Sequence, residues 1–414
     1  MSDQDNGQVS TTRRPTTNDQ EAWIFYWQTQ GQFWRSEPEI DSERQKYLAE
    51  RRAIVPDIEQ GIYPFKDIKL SRADIEWLLA THESGGIYGP VDWNDTSQRT
   101  RKGLDLRGVN LSRVDLSGLP LACMRGSLSA RERVAITKEQ RNMAVVHLEG
   151  ANLYKTQLEG AKLANGHLEQ ANMSATHLES ARLYSAHLEG ANLRFAYLDS
   201  STNLDSIYLG DKKYGFASVV DVRWNDVNLA MVNWAKIPVL GDEQKARQLK
   251  TSDGKNSRSD SLRACRRAVR ANRQLATVLQ SQGLNEEAAR FAYRAQKLQR
   301  VVLRLQKKFG QYLFSGFLDL LAGYGYRPGR SVIWYLVTIF GHALAYFAIG
   351  HLPFFPDAFV FSLTSFHGRG FFPGLGSENS LHNPLVIMDA FEAVIGLLIE
   401  ISFIATFTQR FFGR

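Results

Sequence analysis

The chain has 414 residues, with 50 Lys and Arg against 43 Asp and Glu and a formal net charge of +7. That length leaves room for two or three domains at about 150 residues each, and its two cysteines, Cys123 and Cys265, are too few and too far apart for a disulfide framework or a CxxC metal knuckle. They suit a reducing cytosol. With no recognisable set of nucleophile, base and orienting residue, and no phosphate-cradling Gly loop between strand and helix, neither an enzyme nor a cofactor is expected.

Residues 1–20 are polar without an apolar period and read as a disordered tail, with no apolar core of a cleavable secretory signal. Residues 21–99 form an N-terminal helical capping region. Within it Ser71 and Asp74 make a capping-box start to an amphipathic helix through Trp77, Leu78 and Leu79, placed to cover an open edge of the next domain.

From Leu148 to Leu198 a Leu or Met recurs at every fifth position, and two residues before most of them stands a small residue, as at Ala151, Ala161, Ala171, Ala181 and Ala191. A period of five fits neither helix nor flat strand, and signals a solenoid whose units must stack to bury anything. Units such as Ala151-Asn152-Leu153 and Ala191-Asn192-Leu193 resemble the pentapeptide-repeat family. The resemblance implies a right-handed quadrilateral β-helix with one unit per side, the Leu and the small residue pointing inward.

The period also holds at Leu106, Leu111, Leu116 and Leu121, and again at Leu204, Leu209, Tyr214, Val219, Trp224, Leu229 and Trp234. The solenoid therefore spans about 100–240, with an insertion at about 122–145, a one-residue bulge between Leu198 and Leu204, and a closing end at the two tryptophans. His147, His167 and His187, with Glu149, Glu169 and Glu189, should stack up one side about 4.8 Å apart. A solvated ladder without metal is expected, because zinc wants convergent ligands and not a parallel row. Six acids between His147 and Ser200 face Lys155, Lys162, Arg182 and Arg194, too weak a negative balance for DNA mimicry.

Residues 241–259 read as a linker and 260–310 as a basic α-helical hairpin, with Gly283 as a stop and Asn285-Glu286-Glu287 as an acidic start. Leu284 to Arg300 also looks like part of a tetratricopeptide helix pair. Between Arg258 and Lys308 thirteen Lys or Arg stand against three acids. The apolar sequence nearby makes anionic lipid headgroups the expected partner, and no nucleic acid is expected.

Residues 311–330 read as an interfacial helix turning at Pro328, with Arg327 and Arg330 placed to bind lipid headgroups. Ser331 to Gly350 has no formal charge and is long enough as a helix to cross hydrocarbon. Leu385 to Thr408 is a second apolar stretch, interrupted by Asp389, Glu392 and Glu400. Arg327, Arg330, Arg410 and Arg414 flank the two, while the connection offers only Arg369, so both termini should be cytoplasmic. Ala358 to Phe366 is apolar enough to re-enter the membrane.

The segment from about 327 to 412, with its two-transmembrane domain at 331–412, resembles the two-span pore domain of the potassium-channel superfamily. Phe361 to Phe366, including Thr364 and Ser365, looks like its pore-helix ending, Gly370-Phe371 like its filter Gly and aromatic, and Glu392 and Gly396 like an outer Glu and a hinge Gly. Where that family has a Thr-Thr-Val run this chain has His367-Gly368-Arg369, and Phe372-Pro373 replace a second Gly and an Asp. The resemblance implies a homotetramer around a re-entrant pore-like loop; four inward Arg369 side chains would then bar potassium. Glu392, Gly396 and Glu400 share one helix face, which either lines the path or pairs within the bundle, with Arg369 or His342 among the partners.

The whole reads as a multidomain bacterial inner-membrane protein: a cytoplasmic β-helix that binds an unknown protein partner, a basic neck, and a channel-like domain without potassium-type selectivity. The alternative is a membrane-anchored interaction scaffold with a non-conducting channel-like domain.

Overall fold

The computed structural model describes residues 13–134, 136–251, 258–350, 354–368 and 384–411. It divides into one unit up to Ala288 and another from Ala289.

In the first unit, α1 (Gln20–Thr29), α2 (Ser42–Arg52) and α3 (Arg72–Ala80) precede a short hairpin of β1 (Glu83–Ser84) and β2 (Ile87–Tyr88). Ser71 and Asp74 form the reciprocal capping box of α3. That helix buries Ile75, Leu78 and Leu79, and Glu76 accepts from the backbone N–H groups of Ser36 and Glu37. Lys69 pairs in parallel with Asn110, so the capping region joins the solenoid through backbone bonds.

In the solenoid each unit stacks on the unit twenty residues later. The N–H of Leu148 donates to the carbonyl of His167 (2.7 Å), Leu153 to Asn172 (2.8 Å), Leu158 to His177 (2.8 Å) and Leu163 to Arg182 (2.9 Å). Bridges therefore run in four columns, headed in this coil by His147, Asn152, Gln157 and Lys162. The corner between units is a tight turn, as where the Ala151 N–H donates to the Leu148 carbonyl at 3.0 Å. Its third residue is left-handed at Gly150, Lys155, Gly160, Asn165, Gln170 and Ala175 alike. A left-handed non-Gly residue costs roughly 1–2 kcal/mol, and the stacked bonds and the buried interior offset it. Leu153, Leu158, Leu163, Leu168, Met173 and the alanines between them are fully buried. Thr156 and Thr176, in small inward positions, donate their hydroxyls to the carbonyls of Leu116 (2.9 Å) and Leu153 (2.7 Å), so these polar groups enter the core satisfied.

Two features, at Arg125 and at Tyr214, differ from the expected spacing, and the expected one-residue bulge is present. The first coil continues past residue 122: Arg125 bridges Lys162, and Gly126 N–H donates to the Lys162 carbonyl at 2.9 Å. The excursion after it carries α4 (Lys138–Met143), which has its own capping box from Thr137. The step from Arg182 to Asn203 contains the extra residue, taken up where Asp199 accepts from Ser201 and Thr202. Tyr214 is not an inward residue. A hairpin of β3 (Gly210–Asp211) and β4 (Gly215–Phe216) loops out between the bridges of Tyr208 and Ser218, and leaves Tyr214 part-exposed at its turn. The Asp211 carboxylate accepts the Tyr214 N–H and Gly215 is left-handed, which favours a turn over another coil side.

The segment expected as a linker holds α5 (Gly241–Thr251), followed by α6 (Arg258–Ser281). Both close the last coil. Asp242 accepts from the N–H groups of Val219 (2.8 Å) and Val220 (3.1 Å), Gln274 from Asp221 (3.0 Å), and Gln282 from Leu229 (2.9 Å). Backbone donors of a terminal coil have no next coil to pair with, and these side chains satisfy them. Gly283 then turns left-handed before α7 (Asn285–Leu305).

The second unit contains α8 (Phe309–Ala322), stopped by left-handed Gly323, then α9 (Pro328–Ile349), α10 (Phe355–Phe366) and α11 (Pro384–Phe411). The helix Pro328–Ile349 and the stretch Leu385–Thr408 are long and apolar enough to cross a membrane, with mean hydropathies of 1.8 and 1.9. α10 packs on both. Phe361 meets Tyr346 edge-on at 4.7 Å, Phe366 meets Tyr335 at 4.8 Å, and Phe366 joins Ile339, Ile399, Leu321 and Ala322 in one buried cluster. The faces left outward are apolar, as at Ile333, Leu344, Leu397 and Ile404.

Candidate functional site

On the solenoid exterior, residues twenty apart form ladders. His147, His167 and His187 stack with ring centroids 4.8 and 5.1 Å apart, and Tyr208 continues the stack at 4.6 Å. Each His holds its own Glu through Nδ1: Glu149 at 2.8 Å, Glu169 at 3.1 Å and Glu189 at 3.1 Å. The next column is an amide ladder, Asn192 to Asn172 to Asn152, at 3.0 and 2.9 Å. The fourth column stacks Arg125, Lys162 and Arg182 in a groove that Trp93 and Arg99 also line. Burial first, then the neighbouring Arg125 and Arg182, draws the Lys162 amine below its usual range.

A second acidic corner is not visible as a His repeat, since its column reads Gln157, His177 and Tyr197. There His177 stacks on Tyr197 at 4.3 Å, and its Nδ1 lies 3.3 Å from Glu179 and 3.9 Å from Glu159. Desolvation pushes the Glu159 carboxyl up to about 7 from its ordinary 4.5. A hydrogen bond to Glu179 raises the His177 imidazole, against the effect of burial. Both groups take up protons more readily in the fold than in the unfolded chain. The Glu159 contribution is full below its unfolded value of about 4.5 and is lost as pH rises through about 7, while that of His177 is full below its unfolded value of 6.5 and is lost above it. Glu159→Gln is therefore expected to match the wild type near about pH 4 and to exceed it by roughly 2 kcal/mol near about pH 8, in chelator-containing buffer. Urea unfolding at the two pH values measures this, and a variant less stable at high pH contradicts it.

In the second unit the expected stripe is packed against protein. Glu392 is fully buried and accepts the Ser362 hydroxyl, which also donates to the Ile339 carbonyl at 2.9 Å. Gly396 lies against the Phe366 carbonyl at the end of α10, and Glu400 pairs with His367. All three follow from their common helix face, which α10 occupies. His342 bonds its own helix at the Thr338 carbonyl (2.9 Å). Thr364 caps locally onto Phe361, Ser365 is fully buried, and Gly368 is left-handed. Arg369, Gly370 and Phe371 lie outside the described residues.

Arg327 and Arg330, expected at lipid headgroups, are held by protein partners. Arg330 donates to the Asp319 carbonyl at 2.8 Å and its carboxylate at 3.3 Å, while Arg327 lies over the Tyr293 ring at 4.6 Å. Asp319 also receives Tyr293 (2.9 Å) and Arg300 (3.0 Å). A carboxylate on a largely apolar helix requires such donors, and it joins α7, α8 and α9 at one point.

A family model described as pentapeptide repeats matches residues 142–179 and 156–194, with 8 copies. Among curated proteins no relative matches. Among solved structures, HetL, a pentapeptide repeat protein involved in heterocyst differentiation regulation from the cyanobacterium Nostoc sp. strain PCC 7120, is similar at 23% identity over 29% of this chain, with a TM-score of 0.18. The chain spans about half of HetL's length, 47%. A thylakoid-lumen pentapeptide repeat protein from Arabidopsis thaliana is similar at 18% identity, over 38% of this chain and 81% of that one, with a TM-score of 0.16. A pentapeptide repeat protein from the cyanobacterium Cyanothece 51142 is similar at 23% identity, over 28% and 91%, with a TM-score of 0.12. The five-residue period, the twenty-residue stacking of its units and the family match agree that residues 142–194 carry pentapeptide repeats.

Proposed function

We propose that this chain is a membrane protein in which a channel-like helical unit carries a pentapeptide-repeat interaction domain, and that four copies enclose an ion path without potassium-type selectivity. The observation that carries the reading is α10. At 12 residues it reaches only about 18 Å, too short to cross a bilayer, yet it is sealed between two helices that are long enough. A helix that ends at membrane depth leaves backbone groups that only protein or a water-filled path can satisfy. Exposed apolar side chains on α8, among them Phe309, Leu313 and Phe314, suit a helix lying along the membrane surface. The expected setting is a bacterial inner membrane with both termini cytoplasmic.

The polar ladders of the solenoid favour a second reading, a membrane-anchored scaffold for a protein partner. Native mass spectrometry of the detergent-solubilised chain and ion flux in liposomes, with cation and anion substitution, separate the two. The channel reading expects a tetramer with flux that does not favour potassium over sodium, and an Arg369→Ala variant with altered ion preference. A folded monomer, or an oligomer without flux, leaves the scaffold.

A further inference from the structure

We propose that Glu159, His177 and Glu179 form a binding site for a divalent transition cation of the zinc class, at an outer corner of the β-helix. One ligand atom from each residue lies within 4.8 Å of the others. His177 Nδ1 is 3.3 Å from Glu179 Oε1 and 3.9 Å from Glu159 Oε1. Bonds of about 2.0–2.2 Å to a tetrahedral zinc set ligand separations of roughly 3.3–3.6 Å, which the His177–Glu179 pair already meets and towards which the Glu159 carboxylate must close in.

The second observation is independent of that spacing. The Oε2 atoms of Glu159 and Glu179 are buried without a hydrogen-bond partner, and Glu159 as a whole is 7% exposed. A carboxylate oxygen withdrawn from water and left without a donor favours a cation or a proton beside it. The same desolvation is what raises its proton affinity. The ligands are not the parallel row that the ladder suggested. Coil stacking brings the corner Glu159 of one coil against His177 and Glu179 of the next, and the three converge. His177 and Glu179 keep 38% and 24% of their side-chain exposure, enough for entry and for a water in the fourth position.

Two sister groups, Glu149–His167–Glu169 and Glu169–His187–Glu189, offer the same ligand types, and the Oε2 atoms of Glu169 and Glu189 are likewise buried without a partner. These two groups share Glu169, and Glu149 already accepts the Ser112 hydroxyl at 2.6 Å. A cation at the isolated trio would also tie two neighbouring coils together, since its ligands come from both.

The test uses the full chain in detergent, stripped with a chelator, then titrated with Zn²⁺ by calorimetry and with Co²⁺ by absorption. Glu159→Gln, Glu179→Gln and His177→Gln should each bind one equivalent fewer than the wild type and lose the melting-temperature rise that zinc confers. The Co²⁺ spectrum should be that of a low-coordinate oxygen and nitrogen site. Glu159→Gln keeps the shape and removes a buried charge, so its fold is secure, and its melting curve without metal verifies this. No binding by the stripped wild type overturns the proposal, as does undiminished binding by the variants. A thiolate-to-cobalt band, which would move the metal to a cysteine, also overturns it.

Discussion

Leu168→Ala is expected to lower the unfolding free energy of the β-helix by about 2–5 kcal/mol. Leu168 is fully buried, with Leu148 and Leu188 buried in the same column of neighbouring coils. The backbone bonds through it, Leu168 N–H to the His187 carbonyl (2.8 Å) and Ala171 N–H to the Leu168 carbonyl (3.1 Å), do not involve the side chain. The loss is therefore transfer energy plus the cavity, and coils above and below hold the backbone too firmly to collapse into it. Because each repeat is supported only by its neighbours, damage at a central coil spreads in both directions. Circular dichroism melting of the full chain reads the effect. Tyr154→Ala, on the exposed surface of the neighbouring column, should change stability by no more than about 0.5 kcal/mol, and equal effects at both positions would refute the inward assignment.

Gly396→Ala is expected to destabilise the helical unit by about 1–3 kcal/mol. A Cβ there would overlap the Phe366 carbonyl oxygen and lie 3.0 Å from its carbon. The obstacle is backbone, so no side-chain rotation relieves it, and the end of α10 must move away from α11. That movement strains the His367–Glu400 pair one turn further along. Gly341→Ala on α9 is the control, since its Cβ would meet nothing within 4 Å. There the gain in helix propensity, up to about 1 kcal/mol, should leave the protein as stable or more so. Melting in detergent distinguishes the pair, and a neutral Gly396→Ala would mean that Gly396 acts as a free hinge.

Much of the solenoid is legible in the sequence because its inward positions repeat locally. Two departures from the spacing show where that reading stops. Tyr214 keeps the period by coincidence, while Asp211 and Gly215 decide in favour of a hairpin. Arg125 breaks no period, yet it belongs to the first coil, which only its bridge to Lys162 reveals. The helix α5 was hidden because its sequence, GDEQKARQLKT, is mostly polar. Its role comes from one carboxylate, Asp242, that closes two free N–H groups of the last coil.

The candidate sites divide in the same way. The His147, His167 and His187 ladder could be read by counting, but the His177 corner could not, since Gln157 and Tyr197 interrupt the residue type. On α11 the spacing of Glu392, Gly396 and Glu400 by four puts them on one face. The choice between a water path and a neighbouring helix depended on α10, whose position no local pattern specifies. Asp319 carried no signal beyond an acid among apolar residues, and its three partners come from 26 residues upstream to 11 downstream.

By itself, the sequence determined the repeat, its inward side chains, the two long apolar helices and the caps at Ser71 and Gly283, because each depends on residues a few positions apart. Tertiary structure alone decided which carboxylates meet which cations, where α10 lodges and how the open coils are closed. Those contacts arise only when stacking or packing brings distant backbone together, and the cost of leaving a buried charge or amide unpaired then selects the partner.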